Sequence, residues 1–99
     1  MEDVRATLAE NLAEVDWQNL TPHAKRDALI VVTSHLDLVE VGVKVAANDA
    51  ASVENWIAEQ LIAKPSSEQL AIWNQEPHKQ FSTIIVQPFV LVQEVSQER

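Results

Sequence analysis

The stretch "LDLVEVGVKVAAND", Leu36 to Asp49, decides between two folds for this chain. Val39, Val41, Val43 and Val45 alternate with polar or small residues, the period-two pattern of a half-buried strand. Four valines and Gly42 in one helix cost about 2–3 kcal/mol against alanine, so the residues alone lean toward strand. Three features oppose that reading. Asp37 precedes Glu40 by the spacing of a capping box, an effect of about 1 kcal/mol. Glu40 and Lys44 are four apart in the order that favours an ion pair on a helix. A helix here would also form a pair with the next one, joined by a tight turn at Ala47 to Asp49. Val43, Ala47, Val53 and Trp56 are then core positions, at intervals that resemble a helix-turn-helix unit. The helix reading gives an α+β fold, loosely winged-helix-like, with helices packed on a small sheet of strands 28–33 and 81–94. The strand reading gives the order α-β-β-α-α-β, with 38–46 as a strand.

The flanking sequence is shared by both readings and predicts one domain over residues 1–99. Val4, Leu8, Leu12 and Val15 form the apolar stripe of a helix over about 2–15. In "TPHAKRD", Thr21 reads as an N-cap with Pro22 at the first position of a short helix or turn. "ALIVV", residues 28–32, is rich in β-branched residues and reads as a buried strand. Asn48 or Asp49 caps a helix over about 50–61, with Val53, Trp56, Ile57 and Leu61 at helical spacing. "LIAK" reads as a short strand before Pro65. Ser66 and Gln69 then have capping-box spacing, with Leu70 and Trp73 facing the core. "FSTIIVQPFVLVQEV" reads as one long strand, interrupted at Pro88, hence an edge strand or a bent one.

Composition removes whole classes of activity. The chain has no cysteine, which excludes disulfides, thiolate metal sites and thiol catalysis. Seven basic residues oppose fifteen acidic ones, for a net charge of -8. Nucleic acids and anionic membranes would be repelled by such a surface. The acidic, amphipathic N-terminus lacks the pattern of a signal peptide, and no apolar run is long enough to span a bilayer. A cytoplasmic protein is expected. With Gly42 as the one glycine, no glycine-rich phosphate loop can form, and no cofactor is expected.

Four phrases are more specific than any of these patterns: "PHAKRDALIVV", "LDLVEVGVKVA", "VENWIAEQLIAKPSSEQLAIW" and "IVQPFVLVQE". Together they resemble a family of short bacterial proteins, domain of unknown function two-two-eight-eight, from about Leu8 to Glu94. The resemblance implies a stand-alone bacterial domain. It implies no activity and carries over no catalytic residue. Members are often richer in alanine across the part matching Val41 to Ala47, so the resemblance implies helix for the opening segment.

Few residues invite a chemical reading. His23, Lys25 and Arg26 make the one basic cluster, which would suit a small anion or close a helix end against nearby acids. His35 and Asp37 read as turn and cap residues rather than metal ligands, and Asp37 with Glu40 as capping residues rather than an acid–base pair. Gln87, Pro88, Phe89 and Gln93 place glutamines in an apolar strand. They mark either a solvent face or a pairing edge that recruits a second chain. The expected function is a small protein-interaction module without catalysis. It would self-associate or dock a protein partner through its C-terminal strand and the neighbouring helical surface. The alternative is a binder of a small anionic ligand, or a minor enzyme, around His23 and Arg26. A nucleic-acid-associated role is disfavoured further by Glu54 and Glu59, with no basic residue after them until Lys64.

Overall fold

A computed structural model describes residues 4–86 and 89–95. The opening segment is a helix. In chain order the elements are α1 (Val4–Asn11), β1 (Ala13–Asp16), α2 (Trp17–Lys25), β2 (Leu29–Val32) and α3 (Leu38–Ala46). There follow α4 (Ala50–Ala58), β3 (Ile62–Ala63), α5 (Ser67–Asn74), β4 (Gln80–Val86) and β5 (Phe89–Glu94). The class is α+β. Among the described residues one mixed sheet has the order β1-β4-β5-β2-β3, parallel between β2 and β5 and antiparallel elsewhere.

The sheet is the middle layer, because its strands alternate apolar residues toward both faces. On one face Val32, Ile84, Val86 and Leu91 meet Leu8, Leu38 and Val41, with Val53 and Trp56 packed against them. On the other, Leu29, Phe81, Val90 and Val92 meet Trp17, Leu20 and Trp73. Helices α1, α3 and α4 therefore lie over one face, and α2 and α5 over the other. Gly42 permits close approach between α1 and α3. A Cβ there would stand 3.3 Å from Leu8 Cδ1.

Local signals explain where α3 and α5 begin. Val39 N donates to Asp37 Oδ1 at 3.0 Å, which outweighs the strand tendency of the valines together with their burial against the sheet. Ser66 and Gln69 make the reciprocal capping box, at 3.0 and 3.1 Å. Several expectations need correction. Glu40 pairs with Arg5 on α1 and Lys44 with Asp49, instead of with each other. The first helix ends at Asn11, and the residues after it pair with β4, Val15 opposite Phe81. The backbone groups offered by β4 outweigh the helix preference of "NLAEV". Thr21 does not cap α2, which begins four residues earlier and contains Pro22. Pro22 cannot donate to the Gln18 carbonyl one turn back, and Thr21 Oγ1 donates to that oxygen instead, at 3.0 Å. The long strand over 81–94 is two antiparallel strands, with Val86 opposite Phe89. Gln87 and Pro88 lie outside the described residues.

Helices α2, α3 and α4 all end in the same left-handed turn, at Asp27, Asn48 and Gln60, with φ of 61°, 62° and 62°. Each shows the paired hydrogen bonds of a Schellman motif. After α4, Leu61 N donates to the Trp56 carbonyl at 2.8 Å and Gln60 N to the Ile57 carbonyl at 3.0 Å. Glycine is preferred there, because a side chain at positive φ costs about 1–2 kcal/mol. Gln60→Gly is expected to raise stability by about 0.5–1 kcal/mol, read as a higher urea midpoint at unchanged slope. A lower midpoint would show that the Gln60 side chain contributes more than its backbone strain costs.

Candidate functional site

An apolar groove of about 670 Å³ lies between α4 and the sheet. Its floor is Ile30 on β2, Ile62 on β3, and Phe89 and Leu91 on β5. Its wall is Val53 and Ile57 on α4, and its end is Val45 and the turn at Asn48 and Asp49. The size lies within the range of binding clefts, about 300–1,000 Å³. The groove exists because α4 stands off the sheet. No residue of α4 is buried, and Ile57 is 54% exposed. Ile57 thus places an exposed apolar side chain beside Val53 along the groove.

The α3–α4 connection holds the wall in place. Asp49 caps α4, accepting from Ser52 N at 3.2 Å and from Ser52 Oγ at 3.0 Å. The Ser52 backbone N–H is the main reason the Asp49 carboxyl titrates below the usual carboxylate range. The Ser52 hydroxyl and Lys44 add to the effect, and partial burial opposes it. A carboxyl lowered in the folded state stabilises fully above its ordinary value of 3.8. That contribution drains away as pH falls below 3.8 toward the folded-state value. The asparagine of an Asp49→Asn variant would cap without titrating. The stability gap between wild type and variant should therefore narrow or reverse on acidification, measured by urea unfolding at a series of pH values. A gap constant with pH would contradict the capping role.

Of the residues singled out in the sequence, Phe89 lies in this groove and is 37% exposed. Gln93 is turned to a structural task. Its Nε2 donates to the carbonyls of Thr33 and Leu36, each at 2.7 Å, and so ties the β2–α3 connection to β5. Strand β5 lies between β4 and β2, which leaves it no free edge for a partner strand. What this end of β5 offers is the side chain of Phe89. His23, Lys25 and Arg26 sit together at the end of α2, with Arg26 Nη2 2.8 Å from His23 Nδ1. That end of a helix carries the negative pole of the dipole, which opposes anion binding.

The remaining lining was not recognised from sequence. Ile30, Ile57 and Ile62 were legible only as apolar positions of separate elements. Val53, Trp56 and Ile57 form the ordinary apolar arc of an amphipathic helix, with Ile57 at its edge, so the helix by itself did not mark the groove.

Among the described residues, no group of three or more histidines and carboxylates is placed to hold a metal ion. No described helix is long and apolar enough to cross a membrane. No curated protein matches the sequence. The structure is similar to the NMR solution structure of PA1075 from Pseudomonas aeruginosa, with a TM-score of 0.82 and 26% sequence identity. That similarity covers 100% of this chain and 91% of the other. The family model for "Protein of unknown function (DUF2288)" matches residues 3–94. The chain therefore belongs to the DUF2288 family of proteins of unknown function.

Proposed function

We propose that this protein is a small interaction module, without catalysis of its own, that docks an apolar segment of another protein in the groove between α4 and the sheet. One observation carries the reading: α4 presents Val53 and Ile57 to an open apolar groove and buries no residue of its own. A nine-residue helix is marginal in isolation. A partner that covers its open side would supply the burial it lacks. The sequence-level expectation of a C-terminal strand acting with a neighbouring helical surface takes a concrete form here, as Phe89 with α4. Nucleic acid and anionic membrane remain poor partners for a net charge of -8. Self-association is disfavoured by the same charge, since both copies would carry it.

The test is a photo-crosslinker placed at Ile57, with the same group at Ile72 as control. Both positions are exposed, at 54% and 56%, but Ile72 lies on α5, on the opposite face of the sheet. Irradiation in host extract should give one discrete adduct from position 57 that is absent from position 72. Absence of that adduct, or the same adduct from both sites, would overturn the proposal.

A further inference from the structure

The groove also constrains the chemistry of its occupant. Three features of its floor and rim bear on the matter. First, the floor offers side chains and almost no backbone. Strands β2 and β5 each have neighbours on both edges, and the outer strand β3 is only two residues long. Strand addition needs a free ladder edge, and this floor has none of useful length. A helix satisfies its own backbone and needs only a groove for its apolar stripe, so it suits the geometry better.

Second, the charges along the wall are of one sign. Helix α4 carries Glu54 and no basic residue, with Glu59 as its C-cap. Glu54 lies one turn after Ala50, which lines the groove. Third, the cations nearby are already partnered. Lys64, at the mouth, pairs with Asp27 at 2.6 Å, and Lys44 pairs with Asp49 at 3.7 Å. Beyond the rim the whole chain has a net charge of -8, which raises the encounter rate with a cationic partner and lowers it with an anionic one.

We infer that the groove takes an amphipathic helix of a different protein, apolar at i, i+3, i+4 and i+7 and flanked by lysine or arginine. This inference rests on reading the groove as a protein-docking site. It adds the secondary structure and the charge of the occupant. A second copy of this chain meets the requirement poorly, since each copy carries a net charge of -8 and the two would repel.

The test uses two synthetic helical peptides of equal length and identical leucine spacing, one completed with lysine and the other with glutamate. Binding is followed by fluorescence anisotropy at low and high salt, with wild type, Ile57→Ser and Phe89→Ser. Ile57 and Phe89 are exposed enough for the variants to fold, which circular dichroism is to check before binding is measured. The lysine peptide should bind wild type at least about tenfold more tightly than the glutamate peptide, a difference of the size expected for complementary charge. High salt should shrink that ratio. Both serine variants should weaken the lysine peptide several-fold. Equal binding of both peptides, lost in the serine variants, would overturn the charge inference and leave the groove reading intact. Binding of the lysine peptide unchanged in both variants would be non-specific attraction and would overturn both. Binding of neither peptide would do the same. A dimer seen by light scattering and dissolved by Ile57→Ser would make a second copy the occupant and overturn the inference.

Discussion

Phe81→Ala should remove about 3–5 kcal/mol of stability, the cost of deleting a fully buried aromatic ring from a packed core. Phe81 has no exposed surface and joins Trp17 and Trp73 in a three-ring cluster, with centroids 5.0–5.7 Å apart. These rings hold α2 and α5 onto the sheet. The polar end of the cluster is satisfied, since Trp17 Nε1 donates to Asn74 Oδ1 at 2.9 Å. Small domains have about 5–15 kcal/mol in total, so the loss would be a large share. Urea unfolding measures it, and tryptophan emission should shift to the red as Trp17 and Trp73 lose their cover. Phe81→Leu should recover much of the difference because it restores volume. A cost under about 1 kcal/mol for alanine would mean that this face of the sheet does not carry the core described.

The second large effect is expected at Gln93. Replacing it with leucine leaves the carbonyls of Thr33 and Leu36 without their shared donor. Losing a donor to partly buried acceptors costs about 1–3 kcal/mol. Gln93→Glu keeps the shape but sets a carboxylate against two carbonyl oxygens, so it should be the worse variant at neutral pH. On acidification the protonated glutamic acid regains one donor, and the gap to wild type should shrink. Unfolding curves for both variants at neutral and acidic pH decide the matter. If leucine costs nothing, the tie between the β2–α3 connection and β5 is not structural.

How much of this was legible in the residues depended on how local each cause was. Asp37 and Ser66 were readable because a cap is decided within three or four residues. Strand β2 was readable from β-branched composition, and the short strand β3 only from its place in a winged-helix-like order of elements. The strand at 13–16 was not, because helix-favouring residues there are recruited by an edge of β4, which lies near the other end of the chain. The partners of Glu40 and Lys44 were missed for the same reason: α1 lies alongside α3, and Arg5 reaches Glu40 first. Phe89 stood out in the sequence, but its companions Ile30, Ile57 and Ile62 come from three elements that only the sheet order brings together. A groove is a property of topology, and topology was the part the periodicities left open.

The central claim, that the space between α4 and the sheet is where a partner docks, has a direct probe in the isoleucine methyl spectrum. The chain contains six isoleucines, at 30, 57, 62, 72, 84 and 85. Ile30, Ile57 and Ile62 line the groove, and Ile72, Ile84 and Ile85 do not. Titration of selectively methyl-labelled protein with the lysine-bearing helical peptide should move the signals of Ile30, Ile57 and Ile62 and leave those of Ile72, Ile84 and Ile85 in place. Shifts confined to the second set, or spread equally over all six, would contradict the docking site.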